Sequence, residues 1–318
     1  MPPRLHLYLA AVVAGGLVFT AALHTAARRF EGADYDPARW VSDGLALKQR
    51  IAARATRPQI IVLAGSNALY GFSAERLEAR LGVPATNAAM HAGLGLDYIF
   101  AYGQRLARPG DLVVLPLEYE LYGKALRDPA ERLQALLHDR AYYDALGLGD
   151  QLALLGGLTA NEWRGLVRAS VRADPRNPKD LQASTLNAHG DETNNAASAP
   201  VAPSPTRAHL EVTRAAVAAI RAFALALRAS GAEVVLAYPN LHVEAFRPGV
   251  SDDFLAEMHE AARAAGVKLI GSASAAAFPT AHHYNTRYHQ TAEGQAASTD
   301  RLIRELRDAG VALPSKQR

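Results

Sequence analysis

Gln59-Ile60-Ile61-Val62-Leu63-Ala64-Gly65-Ser66-Asn67-Ala68-Leu69-Tyr70 reads as a strand, a tight turn and the start of a helix. Ile60 to Leu63 are β-prone and carry no charge, the pattern of a parallel strand covered on both faces. Gly65 lets the backbone turn sharply at the strand's carboxyl end. Ser66 therefore falls where open α/β sheets place their ligands. A serine there can present its hydroxyl outward, with the next backbone N–H groups aimed at a developing oxyanion. It can equally do no more than cap the helix that follows.

Outward from this stretch the same alternation repeats. Ser73 caps a helix through Leu81, with Glu75 in its first turn and Gly82 as its stop. Val83 to Ala89 reads as a second strand, followed by His91-Ala92-Gly93-Leu94-Gly95 and a helix through Leu106. Pro109-Gly110 turns the chain into a third strand, Asp111 to Pro116. Ala125 to Val171 is helical in pattern, whereas Asp174 to Thr206 is rich in Asn, Asp, Ser, Ala and Pro and reads as a long loop. An Ala-rich helix after His209, a strand Glu233 to Tyr238, a helix Ser251 to Ala265, a strand Val267 to Ile270 and a last helix through Leu306 complete the pattern. Strands alternating with helices predict an α/β fold with a parallel sheet and right-handed crossovers.

Leu5 to Ala27 contains no Lys, Arg, Asp or Glu and is long enough to span a bilayer as a helix. A cleaved signal peptide is the alternative, but the apolar run continues past Ala22 without a clean small-x-small site, so an uncleaved signal anchor is expected. The expected division is an anchor over 5–27, a stalk or first helix over 28–57, and an α/β domain over 58–318 interrupted by an insertion over 124–208.

The 318 residues, 49% of them hydrophobic, suffice for a substantial core. A net charge of +3 with no aromatic-basic motif speaks against a nucleic-acid partner. The absence of cysteine excludes disulfides, thiolate metal sites and a cysteine nucleophile. Neither G-x-G-x-x-G nor a phosphate-binding loop follows a strand, and no cofactor is expected.

The remaining chemistry sits late, in His282-His283-Tyr284-Asn285-Thr286-Arg287-Tyr288-His289-Gln290-Thr291. Thr291 can cap the last helix, which holds His289 near a helix start beyond the last strand, over the same sheet edge as Ser66. His282, His283 and His289 can also be read as metal ligands, although adjacent histidines rarely face one ion together.

Strand-Gly65-Ser66-Asn67, the block Asn87 to Gly93, and the late Asn285-x-x-x-His289-x-x-x-x-Gly294 resemble the SGNH/GDSL hydrolase superfamily. The resemblance covers about 58–123 and 209–310. With the amino-terminal anchor, the chain is similar to exported polysaccharide O-acetylation proteins, such as the alginate acetyltransferase group, and to the D-alanyl transfer family.

The resemblance implies a three-layer fold with Ser66 as nucleophile, His289 as general base, and backbone near Asn67 and Gly93 as oxyanion donors, with His91 beside Gly93. It implies an acyltransferase or esterase anchored once in a bacterial cytoplasmic membrane with its main domain outside. A membrane partner would deliver the acyl group, and a surface polysaccharide would accept it.

This chain departs from that pattern at the triad acid, where Asn285 and Thr286 stand four and three positions before His289. Glu118, Glu120 and Asp191 are the candidate replacements. Pro116 to Glu120 also stands where the resemblance places an oxyanion-hole asparagine. These departures keep open a second reading, a glycan-binding or assembly factor without turnover.

Overall fold

Ile60, Ile61 and Val62 are fully buried, as a strand covered on both faces must be. In the computed structural model, which describes residues 3–33, 39–123, 132–170, 183–196 and 210–315, they form β1 (Ile60–Val62) of a five-stranded sheet. The other strands are β2 (Ala85–Asn87), β3 (Leu112–Leu115), β4 (Glu233–Ala237) and β6 (Lys268–Ile270), in the order β2-β1-β3-β4-β6. Every pairing is parallel, with Val62 opposite Asn87 on one side and Val114 on the other. A short parallel pair, β5 (Leu241–His242) with β7 (Ala277–Phe278), lies outside the sheet. The expected α/β class with a parallel sheet is what the chain adopts.

The chain divides into two compact units, 1–39 with 129–179, and 40–128 with 180–318. Residues 40–57 thus fall in the unit that holds the sheet, and the expected insertion over 124–208 is shared between the units. Residues 124–131, 171–182 and 197–208 of that insertion lie outside the described residues.

In the first unit, α1 (Pro3–Phe30) carries the uncharged run. Its window Leu5–Ala22 is long and apolar enough to cross a membrane and buries nothing; Leu7 is 72% exposed. Beyond it the Gly32 N–H donates to the Leu137 carbonyl (2.8 Å), and Phe30 meets the Trp163 ring edge-on at 5.9 Å. The helical pattern expected through Val171 resolves into short helices over Arg140–Ala145, Leu148–Gly156 and Ala160–Ala169. Thr159 and Glu162 close a capping box at the last of these.

In the second unit, α2 (Arg39–Arg54) lies within the segment expected as a stalk or first helix and buries Val41, Leu45 and Ala52. The helices α3 (Ser66–Gly71), α4 (Ala74–Leu81), α5 (Gly95–Leu106), α6 (Arg214–Ala229), α7 (Val243–Gly249), α8 (Asp252–Ala265) and α9 (Ala292–Asp308) follow. Of these, α6 packs on α5 and α8, while α9 packs on α3 and α4. Their ends match their residues: Ser73, Ser251 and Thr291 each accept an N–H of the first turn. Gly82 ends α4 in the left-handed region (φ +69°).

Two buried polar knots register the sheet. At the amino edge Asp111 accepts the Gln59 N–H (2.9 Å) and the Arg57 guanidinium, and Gln59 accepts the Thr86 hydroxyl (2.8 Å). At the carboxyl edge Lys48, with no exposed surface, donates to the carbonyls of Asn87 (2.8 Å) and Gly190 (2.6 Å). Burial lowers the Lys48 ammonium from 10.5 to about 7, against the opposing pull of Asp191 and Glu192.

An unfolded lysine binds its proton more tightly than Lys48 does, so folding is penalised below pH 7 and the penalty fades as pH rises towards 10.5. Lys48→Met should remove this slope, about 5 kcal/mol at most over the interval. Urea unfolding of both proteins at pH 6.5 and 10 measures it. Equal slopes would show that Lys48 is charged in the fold.

Candidate functional site

The strand order reverses direction between β1 and β3, and at such a switch point the loops leaving adjacent strands diverge and open a crevice. The loop after β1 holds Gly65 and Ser66, and the loop after β3 holds Glu118. The Glu118 carboxyl, 3% exposed, accepts the Gly65 N–H (3.1 Å) and the Asn67 N–H (2.8 Å). Gly65 has to be glycine, because a Cβ there would meet a Glu118 oxygen and lie 2.6 Å from the Ala92 Cα. The same contact brings the loop after β2, with His91 and Ala92, against the serine turn.

Burial pushes the Glu118 carboxyl up from 4.5 to about 7, opposed by the N–H donors of Asn67 and Gly65. This acid is expected from the resemblance as a stand-in for the triad acid, but it orients the serine turn and not the histidine. Glu120 also serves elsewhere, pairing with Arg287 and accepting the Tyr288 hydroxyl (2.7 Å). Asp191 caps α4, accepting from the Ser73 hydroxyl (2.9 Å) and the Ala74 N–H (2.6 Å). None of the three acids meets the outer nitrogen of His289.

That position belongs to Asn285, whose Oδ1 lies 2.7 Å from His289 Nδ1. The turn between them is set locally. His289 N–H donates to the Thr286 hydroxyl (3.1 Å), Tyr284 N–H to the His289 carbonyl (2.9 Å), and His283 bridges Gln290. An amide oxygen at Nδ1 accepts the imidazole N–H, which leaves the Nε2 lone pair free to take a proton. The half-buried His289 ring stacks on Tyr70 at 4.2 Å and 14°. Tyr70 is one turn beyond Ser66 on α3, so the histidine lies over the helix that Ser66 begins. Burial, then the neighbouring His91 and His283, lower the imidazole from 6.5 to about 4, and it is neutral at pH 7.

The expected oxyanion donors are otherwise engaged. The Asn67 N–H is on Glu118, and its side chain donates to the Pro116 carbonyl (2.6 Å) and accepts the Asn240 N–H (2.9 Å). The Gly93 N–H donates to His91 Nδ1 (3.0 Å), closing the short turn that His91 caps. At both sites a buried N–H is taken by a protein acceptor, from the loop after β3 for Asn67 and from its own turn for Gly93. Within the turn, the Ser66 N–H and hydroxyl make no hydrogen bond to another described residue, so the serine's own N–H is the donor left beside its oxygen.

Tyr70, Asn240 and Arg301 were not legible as site residues, and Asn87 was legible only as the start of the Asn87 to Gly93 block. Asn87 donates to the carbonyls of Ala68 (3.1 Å) and Phe72 (2.9 Å), closing the carboxyl end of α3. Asn240 donates to the Gly71 carbonyl (3.2 Å) and is itself held by Arg301 (3.1 Å).

His282, His283 and His289 do not converge: His283 packs on His242 at 4.7 Å. Among the described residues no group of three or more His, Asp or Glu is placed to hold a metal ion. A cleft of about 620 Å³ beside β2, lined by Ile51, Arg54, Glu78, Leu186 and His189, includes none of the site side chains. No protein-family model matches the chain, and no curated protein matches its sequence.

Asn285→Asp places a charge where the amide oxygen stands, and should raise the His289 pKa by about 1 to 3 pH units. Titration of the ring protons by NMR measures it, and an unmoved pKa would show that the two side chains are apart in solution. Glu118 holds a proton more tightly folded than unfolded, so stability should fall as pH rises from 4.5 through 7, by about 3 kcal/mol. Glu118→Gln should flatten that fall and leave one buried N–H facing an amide donor, lowering stability at pH 4.5 by about 1–3 kcal/mol.

Proposed function

We propose that the chain is a membrane-anchored acyltransferase or esterase of SGNH type, with a three-layer α/β domain outside the cytoplasmic membrane, acting on O-acyl groups of a surface polysaccharide. The observation that carries it is the Asn285 to His289 contact at 2.7 Å, on a ring stacked over the helix that Ser66 begins. The two helix groups, α5, α6 and α8 against α3, α4 and α9, suit the outer layers of such a fold. The exposed apolar window of α1 suits an anchor, which would hold the domain where an acyl group arrives across the membrane.

In this reading the Ser66 oxygen attacks the donor's acyl carbonyl and His289 Nε2 takes the hydroxyl proton. The carbonyl oxygen, negative in the intermediate, faces the Ser66 N–H. The bond to the leaving group breaks, and the leaving group takes the proton from His289. A sugar hydroxyl then attacks acyl-Ser66 and loses its proton to His289. The Ser66–acyl bond breaks, and the proton returns to the Ser66 oxygen. With water in place of the sugar, the same steps are hydrolysis.

A neutral asparagine fixes the imidazole tautomer but stabilises imidazolium less than a carboxylate does. A histidine lowered to about 4 is a weak base, so turnover should be slow. The same two facts favour, as a second reading, a glycan-binding factor without turnover.

Incubation with p-nitrophenyl acetate followed by intact-protein mass spectrometry should show one acetyl adduct. Ser66→Ala should abolish it and His289→Ala should slow its formation by about 100-fold or more. Asn285→Asp should speed it. Equal acylation of the surface polymer by wild type and Ser66→Ala would remove the catalytic reading and leave the binding one.

A further inference from the structure

Trp40, half-exposed at the start of α2, sets its ring edge-on to His91 at 5.7 Å and 82°. Ala92, the next residue, is the one that abuts Gly65, so Trp40 packs on the loop that meets the serine turn. On the histidine side of the turn, Tyr284 is half-exposed and stacks on Tyr70 at 5.9 Å and 18°, with His289 on the same tyrosine. Trp40 thus rests on the loop that abuts Gly65, and Tyr284 and His289 rest on the tyrosine one turn beyond Ser66.

The surrounding chemistry narrows what such rings would hold. Arg287, the cation of the histidine loop, is paired with Glu120, and Glu118 is buried against backbone N–H groups. The Asn285 amide is exposed beside His289. An aromatic face carries negative charge density and attracts the weakly positive C–H face of a pyranose, while an exposed amide answers its hydroxyls.

We propose that Trp40 is the stacking platform for a pyranose ring of the acceptor glycan, seated next to Ser66. The sugar site rests on the acyl-transfer reading for what happens to the ring, but not for its binding. Trp40 contributes to holding the acceptor and takes no part in proton transfer.

Trp40 and Trp163 are the two tryptophans of the chain, so Trp163→Phe leaves Trp40 as the sole emitter. The full chain carrying Trp163→Phe is titrated with a β-1,4-linked glucose hexamer and a β-1,4-linked mannuronate hexamer. A saturable shift of Trp40 emission with one of them is expected, and it should persist when Ser66→Ala is added. For transfer to that sugar, Trp40→Ala should raise the acceptor KM roughly three- to tenfold with kcat changed less, and Trp40→Tyr should restore most of it. No emission shift with either hexamer, or an unchanged acceptor KM in Trp40→Ala, overturns the proposal. A retained shift in a chain whose Ser66→Ala variant still acylates the polymer leaves the sugar site standing and removes the acyl-serine reading.

Discussion

The Glu118 carboxyl on the Gly65 and Asn67 N–H groups is the contact on which the carboxyl edge of the sheet depends. The helix it feeds, α3, has six residues, too few to hold a helix by its own hydrogen bonds. The N–H groups of Gly65, just before it, and of Asn67 are therefore taken by a side chain from the loop after β3. Its last carbonyls are taken by Asn87 at the end of β2 and by Asn240 after β4. The carboxyl ends of β2, β3 and β4 each lend one polar side chain to this short helix. Breaking any one leaves buried backbone groups without partners, which costs more than the bond itself contributes.

The same arrangement explains the placement of the histidine. Tyr70, 1% exposed and fixed on α3, offers its ring face to His289, while Glu120 holds Arg287 and Tyr288 of the histidine loop from the other end. The loop's position follows from side chains of the sheet edge as much as from its own turn. Its electrostatics are those of neutral partners: an amide oxygen at the imidazole, other histidines near it, and burial that disfavours the charged ring. Such a site favours a fixed tautomer over a strong base.

The first unit follows different physics. Its apolar helix keeps its charges in its end turns and buries none of its Leu5–Ala22 window, whereas the short helices over 140–169 are set by caps and by a buried ion pair between Arg132 and Glu162 (3.8 Å). The sequence leaves 28–57 open between a stalk and a first helix because helical pattern with mixed charge looks alike on a free helix and on one packed against a sheet. The buried Lys48 of α2 shows the difference: its stem crosses apolar surface to reach two backbone carbonyls that no local pattern announces.

The sequence by itself determined the parallel α/β alternation, the apolar amino-terminal helix, the helix caps and the Asn285 to His289 spacing. All of these are local: apolar runs, capping residues and four-residue separations act within one element. The tertiary structure alone decided which acid meets which donor. Glu118, Glu120 and Asp191 were interchangeable as letters, yet each is fully engaged by a partner 51, 167 or 117 positions away. Such pairings satisfy buried hydrogen-bonding groups wherever the fold leaves them, and their positions exist only once the strands are ordered.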